Sequence, residues 1–141
     1  MKLVFYCIVW MSTVLFFCCH SFRRTAYSVG SSQVGFNLPK SLVVEEFKET
    51  WNNNPSGDGE VIINFSINED EKYIENKCIK SGFKKLPIKE TLPNNYIYSL
   101  MAMKDSIGYY KLKVDKNDER DYGISVLDLK RHKLYVYYVL R

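Results

Sequence analysis

The feature that most constrains this chain is an uncharged, strongly apolar run of 17 residues, Leu3 to Cys19 (LVFYCIVWMSTVLFFCC). The run has no polar face to turn toward water, so it reads as a lipid-seeking segment and not as a core helix of a soluble domain. As a helix it would extend ~25 Å at ~1.5 Å per residue, slightly less than a hydrocarbon core of ~30 Å. Lys2 precedes it, and His20, Ser21, Phe22, Arg23 and Arg24 close it. The expected unit is therefore residues 1–24, a membrane anchor or signal segment that contacts lipid through residues 3–19.

Three fates compete for this segment. A cleaved secretory signal needs small residues just after the apolar run. Here the run ends in Phe16, Phe17, Cys18 and Cys19, and the nearest small pair, Ser28 and Gly30, lies well beyond it. With Leu15 three residues before Cys18, the segment resembles a bacterial lipoprotein signal, a resemblance that covers about the first 18 residues. It implies lipidation at Cys18, although Phe17 occupies a position that is normally small in that family. An uncleaved single-pass anchor needs no cleavage site, and it is the fate the sequence favours. Lys2 with the α-amine nearly balances Arg23 and Arg24, so loop charge scarcely orients the segment. The expectation adopted is an extracytoplasmic domain, with a lipoprotein as the alternative.

Charge and cysteine follow the same division of the chain. The formal net charge is +4, but Lys2, Arg23 and Arg24 account for three of the 20 Lys+Arg, leaving 17 against 16 Asp+Glu in the remainder. A domain this balanced lacks the basic footprint of a nucleic-acid module, so no nucleic-acid partner is expected. Cys7, Cys18 and Cys19 lie in the apolar segment and Cys78 is alone beyond it, which excludes a disulfide within the domain. With 46% hydrophobic and 15% aromatic residues over all 141 and only 4 Pro and 7 Gly, the composition is that of a chain able to bury a core.

The Ser- and Gly-rich stretch 25–40 (TAYSVGSSQVGFNLPK) reads as a flexible tether, leaving residues 41–141 as one small domain. With Ser41 as N-cap, Val43, Phe47 and Trp51 at i, i+4 and i+8 predict a short helix. Three asparagines, Pro55, Ser56, Gly57, Asp58 and Gly59 end it. Residues 60–68 predict a strand, with Val61, Ile63, Phe65 and Ile67 on one face. A second helix follows, capped by Asn68 or Asp70, acidic in its first turn, with Lys77 and Lys80 before Gly82 and with Ile74 and Cys78 on its buried side. Residues 83–93 read as irregular and 94–103 as a further short helix. From Tyr109 to Leu140, alternation and turn residues predict a three-stranded antiparallel meander. The sum is an α+β fold, an N-terminal apolar anchor helix followed by about four mostly antiparallel strands packed against two or three short helices.

Few residues offer chemistry. In the loop DKNDERD, Asp115, Asn117, Glu119 and Asp121 match the first four oxygen positions of a calcium loop. Arg120 stands where that loop needs glycine and Val126 where it needs a bidentate Glu, so a solvated hairpin loop is the stronger reading. Lys84 and Lys85, with Lys77, Lys80 and Lys89, form a basic cluster suited to anionic headgroups or an acidic partner. Tyr135 and Tyr137 alternate with Val136 and Tyr138, so the last strand is either covered on both faces or displays a tyrosine stripe for protein contact. His132 has no motif context, Cys78 is expected to be a buried and inert thiol, and no other nucleophile–base pattern is present. Asn64-Phe65-Ser66 fits the N-glycosylation pattern within a predicted strand. Catalytic residues and cofactors are not implied.

The sequence thus points to a non-enzymatic binding module, membrane-tethered and exported, that engages a protein or envelope component through the sheet face or its edge. The alternatives are a small hydrolase with a carboxylate-based site, for which Glu45, Glu46 and Glu49 are the nearest candidates, and an immunity-type protein that binds an envelope-acting toxin.

Overall fold

A computed structural model describes residues 24–50, 58–90, 106–118 and 120–140. The elements in chain order are α1 (Ala26–Val34), β1 (Val43–Glu49), β2 (Gly59–Ser66), α2 (Glu71–Lys80), β3 (Lys84–Lys85), β4 (Gly108–Val114), β5 (Tyr122–Asp128) and β6 (Lys133–Leu140). All strand pairs are antiparallel, in the order β1-β2-β6-β5-β4-β3. The fold is α+β as expected, with six strands in place of about four and two helices among the described residues. The anchor, Cys18 and the helix expected at 94–103 lie outside the described residues. Among the described residues no helix is long and apolar enough to cross a membrane.

The alternating apolar residues of β2 and β6 generate the main core. Val61, Ile63 and Phe65 of β2, with Leu134 and Val136 of β6 and Leu127 of β5, turn toward the helices and meet Val29 and Val34 of α1 and Ile74 and Cys78 of α2. The opposite face forms a second cluster from Tyr110, Tyr122, Ile124, Val126, Tyr137 and Val139, joined by Leu86 and Ile88 from the segment after β3. The β6 strand is therefore central and covered on both faces. The meander 108–140 agrees with the sequence reading, as do β2 and α2. Asp70 is the N-cap of α2 and Gly82 adopts the left-handed conformation just beyond its C-cap. The Asp70 carboxylate, however, accepts from Ser41 Oγ at 3.1 Å and makes no cap bond.

Two local expectations are corrected. Residues 25–40 are not a flexible tether throughout. Thr25 and Ser28 form a reciprocal capping box, Gly35 closes α1 in the left-handed conformation, and Ala26, Val29, Val34 and Leu38 are buried in the main core. The Ser- and Gly-rich composition hid this helix because its small residues allow close approach: a Cβ on Gly30 would stand 2.8 Å from Leu38 Cδ1 and 3.1 Å from Phe65. The clasp on β4 is also tertiary, with Lys111 Nζ donating to the Val34 carbonyl at 3.0 Å and Lys113 Nζ to the Ser32 carbonyl at 2.9 Å.

The second correction concerns 43–49, which form an edge strand and not a helix. A bulge between Val44 and Glu46 shifts the register against β2, so that Val44 faces Phe65 and Phe47 faces Ile63. The extra residue spaces same-face side chains by three positions where a regular strand spaces them by two. That spacing mimics a helical period.

Candidate functional site

Antiparallel ladders alternate the direction of their backbone groups, and this sets what β1 offers at its outer side. The Thr50 amide donates to the Glu60 carbonyl at 3.0 Å. By alternation Lys48 and Glu46 direct their N–H and C=O groups at β2, while Phe47 and Glu49 direct theirs outward. Among the described residues no strand lies beyond β1. Apolar side chains flank this outward ladder: Val43, Val44 and Phe47 are 48%, 36% and 37% exposed.

The opposite edge is different. It is β3, only two residues long, and both of them, Lys84 and Lys85, are exposed. Short, lysine-bearing edges resist pairing with other chains, whereas a longer edge with exposed apolar residues invites it. The acidic residues of β1 do not guard it in the same way. Glu45 is drawn back across the sheet to Lys133 Nζ at 2.7 Å, and Glu46 accepts from Asn64 Nδ2 at 2.6 Å. Glu49 stands 3.4 Å from Arg24 Nε. The carboxylates considered for a hydrolytic site are thus engaged with three different partners on different elements.

The residues singled out from the sequence are dispersed. Tyr137 is 3% exposed, its ring 5.9 Å from that of Tyr122 and its hydroxyl donating to Glu60 Oε2 at 3.0 Å. Burial first, then the neighbouring Tyr122 and Glu60, raises its pKa. Tyr135 is half-buried beside the same cluster. An exposed tyrosine stripe at these positions is therefore excluded. Lys84 Nζ meets Glu90 Oε1 at 2.6 Å, and Tyr110 donates to the other oxygen of that carboxylate at 2.5 Å. These two bonds hold the Glu90 carboxyl down to about 2.

In the β4–β5 loop, Asp115 Oδ1 accepts from the Asn117 amide at 2.7 Å, and the Asp115 amide donates to the Asp121 carbonyl at 2.8 Å. Asp118, not among the expected ligands, is clamped by Arg120, whose hydrogen bonds lower its carboxyl to about 2. Glu119 lies outside the described residues. Among the described residues no group of three or more His, Cys, Asp or Glu side chains is arranged to hold a metal ion.

Cys78 sits in the main core, where burial pushes its thiol up to about 12. His132 occupies the β5–β6 turn at φ +54° and pairs with Glu71 in the first turn of α2, not with that thiol. A cleft of about 290 Å³ beside the C-terminal end of α1 is lined by Gln33, Lys113, Asp115, Asp121 and Tyr138 among others. No histidine or cysteine lines it, and its lysine is already committed to the Ser32 carbonyl.

The β1 edge is the candidate surface least legible in the sequence, because the bulge gives the strand a helix-like spacing. The signal that could have found it is the β-branched Val43-Val44 pair at the head of a run bounded by Pro39 and by the turn-rich stretch 52–59. Comparison of the chain with known proteins finds no matching family model, no matching curated protein and no matching solved structure.

Proposed function

We propose that this chain is a membrane-tethered, exported, non-enzymatic module that binds another protein by adding that protein's extended segment to the β1 edge. The observation that carries the reading is the β1 edge itself: an outward-facing ladder flanked by exposed Val43, Val44 and Phe47, on a sheet whose other edge is short and guarded by lysines. Strand addition draws affinity from main-chain hydrogen bonds and selectivity from alternate side chains. The burial of Tyr137 argues against a tyrosine stripe on the sheet face as the docking surface and so supports the edge. The apolar run Leu3–Cys19 supports the tether.

Affinity capture of the intact protein from its own membranes tests this. A partner retained by the wild type and by a Lys84→Glu, Lys85→Glu chain should be lost from a Val44→Lys, Phe47→Glu chain. Both edge positions are exposed, so circular dichroism should show the fold unchanged. Equal recovery of the partner with the edge variant would overturn the reading.

A further inference from the structure

A segment that adds to a sheet edge must match that edge side chain by side chain, and β1 carries its own match. Past the bulge its residues alternate. Glu46 and Lys48 share one face of the sheet with Asn64 and Ile62 of β2, and Phe47 shares the other with Ile63. A complementary antiparallel strand therefore sets a cation against Glu46, an anion against Lys48 and an apolar group against Phe47. Lys48 is exposed and has no ion-pair partner among the described residues. Glu46 accepts one bond from Asn64, and an ionised carboxylate has room for more.

In an antiparallel ladder, outward-directed residues pair only with outward-directed residues, so the main chain admits few self-pairings about a two-fold axis. Setting Phe47 opposite Phe47 of the second copy brings Glu46 opposite Lys48 of the second copy, and symmetry repeats the pair. Both are non-hydrogen-bonded pairs, where side chains stand closest. Moving the register toward Glu49 sets Lys48 against Lys48, and moving it toward the bulge sets Glu46 against Glu46. Like charges directly opposite each other destabilise a sheet. A further step toward Glu49 leaves Lys48 facing Thr50 and loses both pairs. The favoured register also opposes Glu45 to Glu49, but each of these has a cation within its own chain, Lys133 and Arg24.

We infer that the extended segment seated on β1 is the β1 strand of a second copy of this chain, joined about a two-fold axis at Phe47 into one continuous sheet. This rests on the strand-addition reading above and names its partner. The exposed Phe47 side chain then lies against its counterpart across the axis.

Disulfide cross-linking of the full-length chain in detergent micelles tests the register, with Cys7, Cys18 and Cys19 changed to Ala in every chain and Cys78 left in the core. A Glu46→Cys chain mixed with a Lys48→Cys chain should cross-link under mild oxidation, because the paired Cα atoms stand about 4.5 Å apart. Either chain alone should not, since like positions lie about 8 Å apart in this register, beyond the reach of a disulfide. Capture tests the charges. A tagged Glu46→Lys chain should retain an untagged Lys48→Glu chain roughly tenfold better than an untagged Glu46→Lys chain. Cross-linking of the Lys48→Cys chain with itself, or equal capture of the two untagged chains, would overturn the pairing. Absence of the mixed cross-link would overturn it too. If the Val44→Lys, Phe47→Glu changes still released a captured partner, the edge reading would then survive alone, and if they did not, both would fall.

Discussion

Lys111 of β4 donates to the Val34 carbonyl at 3.0 Å, closing the end of α1 from 77 positions away along the chain. Helix C-termini leave carbonyls without intrahelical partners and carry partial negative charge, so an ammonium there satisfies both needs. The same group lies 5.7 Å above the Phe83 ring. Replacing Lys111 with Met keeps most of the stem and removes the charge and the bond. The expected loss is about 1–2 kcal/mol, read as a lower urea midpoint. Lys116→Met in the exposed loop should change stability by less than about 0.5 kcal/mol.

Two glycines of the meander should respond very differently to a methyl group. At Gly108, φ is +151° and an added Cβ would lie 1.9 Å from the Leu127 carbonyl oxygen, a backbone atom that cannot swing aside. Gly108→Ala should destabilise the fold by about 3 kcal/mol or more. At Gly123 the nearest atom is Gln33 Oε1 at 2.6 Å, the tip of a flexible side chain. Gly123→Ala should be mild, and Gln33→Ala should relieve most of what it costs. Thermal unfolding of the three variants, singly and combined, checks both statements.

Glu90 supplies an acid-sensitive contribution. Its carboxyl titrates near 2 in the folded chain because Lys84 and Tyr110 bond the ionised form, against an ordinary value of 4.5. A group depressed on folding contributes stability above its unfolded pKa and loses it as pH falls through the folded value. The difference in stability between wild type and Glu90→Gln should therefore be constant above pH 5 and shrink between about 4.5 and 2. Urea titrations across that range measure it. A difference that grows on acidification would refute the assignment.

Cys78 should be silent toward alkylating reagents while the domain is folded. Its thiol, raised to about 12 by burial, stays protonated at pH 8, and the thiolate is the reactive form. Peptide-level mass spectrometry after iodoacetamide treatment should find Cys78 unmodified in buffer and modified in concentrated urea. Labelling in buffer would show that the core around α2 opens readily.

Much of this architecture is legible in the residues. The alternation in 60–67 specifies β2, the dipole-matched charges and Gly82 specify α2, and the run from Tyr109 to Leu140 specifies the meander. Each of these signals is local, with side chains whose period matches the backbone that carries them. The misread elements depend on partners far along the chain. The bulge at Glu45 breaks the period of β1, and only pairing with β2 reveals it. The helix α1 has weak propensity of its own, and what orders it is contact with Phe65, Leu38, Lys111 and Lys113. For the candidate site, the sequence supplied the idea of a sheet edge but not which edge, because strand order is a property of the whole sheet. The tyrosines drew attention through composition, yet their burial follows from β6 being central.

The lysine clasp on α1 also determines how the molecule bears load. A pull exerted on residue 24 does not end in slack chain: it passes along α1, across two ammonium–carbonyl contacts, and into β4, which β5, β6 and β2 separate from β1. Tension from the N-terminal side is thus shared between β4, through the clasp, and β1, through Arg24 and Glu49.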